Sequence, residues 1–460
     1  MVSKTHYYVV FLVTLYKQFL MKKVIILFFL LFNTLTILAQ DGFQFSKKVD
    51  KTTIPFKFIN NLIFIPIKVN GVELNFLLDS GVEETILFSL EDKKEIEFSN
   101  VEKITLRGLG SEDAIEGLKS TNNILEAGGV KSNNHLLYIV LDQEFNLSSH
   151  VGIPVNGIIG YQFFRNNLVE IDYERRRVIV YRDIEKNRKK IERRFEKVAI
   201  SIEKLKPYII NTISIDSVEF PAKLLIDIGN SDALWLFESR SKLIRVPVKN
   251  FDDYLGKGFS GDVEGKRARI SKFALSKFEF HNPIVAFPDS SSIRNVKMVS
   301  GRVGSVGGEI LRRFSVVLDY ANGFLYLKKN KEYFSVFNYN KSGVEIQHHG
   351  LQWVQETVIL HTVPSVTVDD PIKSDKSDFK YKFNLKPVYE IANVRKNSPA
   401  ANSGLQKGDI IVSINKNLGY KYSLQEINSL FKSEDEKWIV LEIERHGEIL
   451  KFRFQLQNIL

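Results

Sequence analysis

The sequence predicts a mainly β protein, built as two homologous lobes facing each other across a cleft and followed by a small α+β domain. Three observations carry this. Aromatic and β-branched residues are abundant, with 34 Phe and 17 Tyr against three Met, a mixture that favours sheets. The first three hundred residues contain an internal duplication. The last eighty change character, with helix-start and strand signals packed closely together.

The duplication is visible in four landmarks. Phe76-Leu77-Leu78-Asp79-Ser80-Gly81 is matched by Leu224-Leu225-Ile226-Asp227-Ile228-Gly229, with the aspartates 148 positions apart. The same offset links Gly108-Leu109-Gly110 to Gly256-Lys257-Gly258, and Gly157-Ile158-Ile159-Gly160 to Ser305-Val306-Gly307-Gly308. Val169 to Tyr173 matches Val316 to Tyr320 at an offset of 147. Landmarks in one order with almost no drift define two copies, assigned to residues 44–185 and 196–335.

Each copy reads as the same series of elements. A strand such as Ile63 to Val69 turns at Asn70-Gly71 and returns as Leu74 to Leu78, a two-residue hairpin signal. The aspartate follows at the strand end. A glycine-bounded hairpin comes next, then further strands (Leu136 to Leu141; Phe273 to Phe280). An apolar strand, a glycine turn, a short helix (Tyr161 to Arg165; Glu309 to Phe314) and a closing strand pair complete each copy. This pattern gives two all-β lobes.

Burying one carboxylate at the end of an apolar strand is costly without a partner. A pseudo-twofold arrangement would bring Asp79 and Asp227 together at the seam, where two close carboxyls hold one proton between them. The ionised member can activate a water while the protonated one donates to a carbonyl oxygen. Asp172 and Asp319, between strand residues and turns, are expected to bond locally instead.

On these residues the chain resembles the pepsin/retropepsin class of aspartic peptidases over roughly residues 60–330. The resemblance implies a two-lobed acid-protease-type fold and peptide-bond hydrolysis by catalytic Asp79 and Asp227. It also implies supporting turns at Ser80, Gly81 and Gly229, and flaps around Gly108 and Gly110 and around Gly256 and Gly258. Members of that class usually carry Ser or Thr after each aspartate; here position 228 is Ile, which removes one hydroxyl. Position 228 therefore divides an active endopeptidase from the alternative, a catalytically inactive peptide-binding scaffold of the cell envelope.

Residues 336–380 read as a linker or extension and 381–460 as the last domain. Val388 to Val394 is strand-like, and Ser398-Pro399-Ala400-Ala401 followed by Gly408-Asp409-Ile410-Ile411 resembles a bacterial PDZ domain. Ser423 to Phe431 would be its second helix, with Leu424, Ile427 and Leu430 on one apolar face. A PDZ groove adds a peptide as an extra strand and catches its C-terminal carboxylate on backbone N–H groups. The resemblance places that carboxylate loop around Phe383-Asn384-Leu385, without its usual glycine. The alternative is a domain that only packs against the lobes or a partner.

The remaining signals bound compartment and partners. Lys22-Lys23, an apolar run from Val24 to Phe32 and Leu38-Ala39-Gln40 describe a secretory signal in residues 1–39, cut after Ala39. A second apolar run, Tyr7 to Tyr16, leaves open a true start at Met21 or an uncleaved membrane anchor. Export to the periplasm or cell surface is expected, with membrane contact only if the leader is retained. The chain has no cysteine, which excludes disulfides, thiol nucleophiles and Cys-ligated zinc. The histidines show no His-Glu-x-x-His pairing and no dinucleotide or phosphate loop is present, so neither metal nor cofactor is expected. The net charge of +10 is concentrated in the leader and in a run from Arg175 to Arg194, read as a solvated connector, and no nucleic-acid partner is expected. The expected partners are a peptide or unfolded protein substrate and a C-terminal peptide at the PDZ-like domain.

Overall fold

The structure is a computed structural model that describes residues 42–88, 95–106, 115–141, 147–258, 261–294, 296–360 and 378–460. The leader, Gly108 and Gly110 lie outside the described residues. Among the described residues the chain is mainly β, with strands gathered into four sheets.

Lobe 1 is built around β1 (Val72–Leu78), which forms a hairpin with the strand Leu62–Val69. Asn70 and Gly71 carry φ of 46° and 91°, the left-handed backbone that a tight hairpin turn requires. A short strand, β2 (Gly157–Ile159), threads parallel to β1, with Ile158 opposite Leu77 and Ile159 opposite Leu78. Lobe 2 repeats the plan. Its strand Lys206–Ile215 turns at Asp216-Ser217 into β3 (Val218–Ile226), and β4 (Arg302–Val306) threads parallel beside it. Apolar side chains on both faces of β1 and β3 explain the continuous hydrophobic runs that end in Asp.

The pairing corrects one landmark. Gly157 lies opposite Phe76, whereas Gly304 lies opposite Leu224. The glycine turns are therefore equivalent at an offset of 147, not 148, and Gly160 corresponds to Gly307. The stretch Phe273 to Phe280 is also not one strand. It splits into Lys272–Leu275 and Phe278–His281, paired as a hairpin that turns at Ser276 (φ 55°).

A shared sheet fastens the lobes. Asn167–Asp172 pairs antiparallel with Phe314–Asp319, with Val169 opposite Leu318 and Glu170 opposite Val317. Glu170 and Val317 are themselves equivalents in the repeat, so the pseudo-twofold axis passes through that pair. Asp172 accepts from the Arg175 N–H at 3.1 Å and Asp319 from the Asn322 N–H at 3.2 Å, the local turn bonding expected of them.

The last domain begins earlier than the sequence indicates. β5 (Val344–Leu360), inside the expected linker, pairs along its whole length with β6 (Asp378–Val394). Their sheet runs β5, β6, Ile410–Ile414, Trp438–Arg445, Glu448–Gln455. The helix Pro399–Ser403 is capped by Ser398 and ended by left-handed Gly404. Lobe 1 also carries a short helix, α1 (Leu147–Val151). In the last domain α2 (Leu424–Phe431) has a capping box between Ser423 and Glu426 and buries Leu424, Ile427 and Phe431.

Ile171 is fully buried in the sheet that joins the lobes. Ile171→Ala is expected to cost about 2–5 kcal/mol, read as a lower thermal unfolding midpoint by circular dichroism.

Candidate active site

Each aspartate sits one residue beyond its strand because the threading strand accepts its N–H. Asp79 N–H donates to the Ile159 carbonyl and Asp227 N–H to the Val306 carbonyl, both at 2.9 Å. The two bonds are related by the pseudo-twofold axis, and they aim the two carboxyls at one point. Asp79 and Asp227 are brought together and hydrogen-bond through their side chains.

The turns leave room for nothing but the carboxyls. A Cβ at Gly229 would fall 2.2 Å from the Asp79 carboxyl carbon, and one at Gly81 would lie 3.1 Å from Asp79 Oδ1 and 3.2 Å from Asp227 Oδ1. Gly81 N–H donates to Asp79 Oδ1 at 2.6 Å, and Gly229 N–H bonds Asp227.

Ser80 joins the two loops. Its hydroxyl donates to the Ile226 carbonyl at 2.6 Å and accepts from the Ile228 N–H at 3.0 Å. Ile228 is fully buried among core side chains and has no hydroxyl to return the bond. The tie is therefore one-sided, but both of its hydrogen bonds are made.

Burial, and then the negative charge of Asp227, push the Asp79 carboxyl up to about 8. Burial also raises Asp227, but Arg302, the Gly229 N–H, the hydrogen bond from Asp79 and Lys206 oppose the rise. The duplication has thus become electrostatically unequal, since Arg302 favours charge on Asp227 while the charge of Asp227 disfavours charge on Asp79.

The pair opens into a cavity of about 2020 Å³ lined by both lobes, including Lys206, Trp235 and Arg302. In lobe 2 the hairpin Asn250–Gly258 with Gly261–Arg269 forms part of its wall through Tyr254, Leu255, Gly256 and Lys257. Gly256 has φ 139° at a bulge opposite Val263, and Gly258 lies at the tip opposite Gly261. In lobe 1 the hairpin Glu102–Leu106 with Ile115–Ala127 occupies the equivalent place, with Ile104 and Thr105 in the lining.

Several site residues carry no signal in the motifs. Tyr320 is buried beside the pair, donates to the Ser80 carbonyl at 3.4 Å and stacks on Phe164. Burial and both carboxyls hold its hydroxyl well above its ordinary range, so it stays protonated. Tyr320 lies in a repeat landmark, the one place where it could have been noticed. Arg267 bonds Asp232 and Asp253, each at 2.6 Å, and so links the second hairpin to the loop that follows Asp227. Arg395 of the last domain reaches the same Asp253 at 3.5 Å.

Phe383, Asn384 and Leu385 form no loop. They lie within β6, opposite Gln355, Val354 and Trp353, so their backbone serves a strand pair and cannot form the expected carboxylate loop. The loop that enters the sheet edge beside α2 is instead residues 340–344.

Residues 65–163 match the family described as aspartyl protease, and residues 390–445 match the family described as PDZ domain. The first match covers β1, Asp79 and the threading strand β2 of lobe 1; the second covers the end of β6 through α2 to Arg445. No curated protein matches the chain. The chain therefore joins an aspartyl-protease-like domain to a PDZ domain, a combination that supports a peptidase hydrolase.

Two outcomes follow. Ser80→Ala strands the Ile226 carbonyl and Ile228 N–H in the interior, so a loss of about 1–3 kcal/mol is expected in thermal unfolding. A carboxyl raised in the folded state keeps a proton that the unfolded chain has released. Its stabilising effect is complete below the ordinary carboxyl range and is lost as pH rises through about 8. Asp79→Asn removes that loss, so its unfolding midpoint should climb relative to wild type between pH 5 and pH 8.

Proposed function

We propose that this protein is an exported aspartic endopeptidase acting on unfolded polypeptides. The observation that carries the reading is the pair of half-buried carboxyls, one from each lobe, sharing a hydrogen bond and lining an open cavity. Export to the periplasm or cell surface rests on the leader sequence alone.

In this reading a water lies between the carboxyls and an extended peptide crosses the cleft. Asp227, beside which Arg302 favours the charged form, takes a proton from the water as its oxygen bonds to the scissile carbonyl carbon. Asp79 gives its proton to the carbonyl oxygen. The proton held on Asp227 then passes to the amide nitrogen as the C–N bond breaks, and one diol hydroxyl returns its proton to Asp79 as the diol collapses to the new carboxyl. Ser80 and the glycine N–H groups act as positioning groups, fixing the loops so that the carboxyls need no rearrangement.

The missing hydroxyl at Ile228 favours the second reading, a scaffold that holds peptides without cutting them. Dye-labelled casein incubated from pH 3 to pH 9 decides between the two. Hydrolysis is expected with an alkaline limb near pH 8, where Asp79 loses its proton, and Asp79→Asn should reduce the rate at least about a hundredfold. Equal release of peptides by wild type and Asp79→Asn, or none by either, rejects the dyad as a catalyst.

A further inference from the structure

The cavity that holds Asp79 and Asp227 does not end at the lobes. Its lining continues past Tyr254 and Lys257 onto Glu345 and Ile346 of β5 and Asn428 and Lys432 at α2. Positions 428 and 432 are one helical turn apart and share a face. β5 is the outer strand of its sheet, so this is the gap between strand edge and helix in which a PDZ domain takes a peptide as an added strand.

Two features change what this gap can hold. Its outer half is covered by lobe 1: α1 packs against β5, and the Gln425 side-chain amide donates to the Val151 carbonyl at 3.1 Å. Gly152 lies so near Leu424 that a Cβ there would meet the Leu424 Cβ at 3.4 Å. The loop entering β5 has also spent the N–H groups that a carboxylate needs. Lys341 N–H donates to the Phe431 carbonyl at 2.9 Å. Ser342 and Gly343 N–H both donate to Asn340 Oδ1, at 3.1 and 3.2 Å, and Val344 N–H donates to Ser342 Oγ at 3.0 Å.

We propose that the PDZ domain is a third wall of the peptide cleft: the inner half of the gap between β5 and α2 takes side chains from an internal stretch of the substrate and reads no free C-terminus. The proposal rests on the peptidase reading for the direction of the substrate toward the carboxyls. Continuity of the cavity extends the bound stretch beyond the scissile bond, and the engaged loop removes the means of holding a chain end.

The test uses the full-length protein carrying Asp79→Asn, so that binding is read without cutting. A positional library of synthetic peptides of about 20 residues, roughly 65 Å when extended, is screened by fluorescence anisotropy. The tightest binder is then made as a free acid and as a C-terminal amide. The two forms should bind within about twofold, and Lys432→Glu, an exposed change at the C-terminal cap of α2, should alter Kd at least about fivefold. An amide at least about tenfold weaker than the acid overturns the proposal. So does unchanged affinity in both Lys432→Glu and Asn428→Trp, or a library with no binder. Failure of the wild-type protein to hydrolyse casein sinks the peptidase reading but leaves this binding result standing.

Discussion

The structure depends on holding two half-buried carboxyls in contact where they open into the cavity. Charging both would set two like charges side by side in a low dielectric, and leaving either without partners would strand a buried polar group. A single shared proton removes both penalties, but only if each carboxyl is held by donors in fixed positions. The glycines at 81 and 229, the threading strands that accept the aspartate N–H groups, and Ser80 are what that requirement produces in the chain.

Duplication supplied the symmetry and later divergence removed part of it. The strand pair centred on Glu170 and Val317 keeps the two halves in register, so the aspartates meet whatever else has changed. Around them the halves differ: Ser80 faces Ile228, Arg302 acts on Asp227, and Tyr320 reaches across to the first loop at Ser80. These differences give the two acids unequal surroundings, since Arg302 lowers the cost of charge on Asp227. The PDZ domain adds to the asymmetry. It touches lobe 1 through Gln425 and lobe 2 through Arg395, whose guanidinium also lies 4.2 Å over the Phe251 ring.

The parts of this arrangement legible in the sequence are those that rest on local chemistry. Asp-Ser-Gly and Asp-Ile-Gly at the ends of apolar strands marked the loops, because tight turns and close approach demand those residue types. Asn70-Gly71 marked a hairpin for the same reason, and Ser398 and Ser423 marked helix starts through their caps. The repeat supplied the one long-range fact, that the two loops are equivalent. β5 stayed hidden because bulges between Glu345 and Ile346 and between His348 and Gly350 break the alternation by which a strand is recognised. The misplaced carboxylate loop followed from that, since the strand taken as first in its sheet was the second. Arg302 and Tyr320 stayed hidden as site residues because tertiary packing alone brings them to the aspartates.

The most direct test of the central claim is a carboxyl titration followed by carbon-13 NMR on protein labelled at the aspartate carboxyl carbons. Two resonances absent from an Asp79→Asn and Asp227→Asn double variant should move together, with one transition near pH 8 and far above the ordinary aspartate range of about 4. Titration of every aspartate below about pH 5 would mean that no proton is shared and would contradict the account.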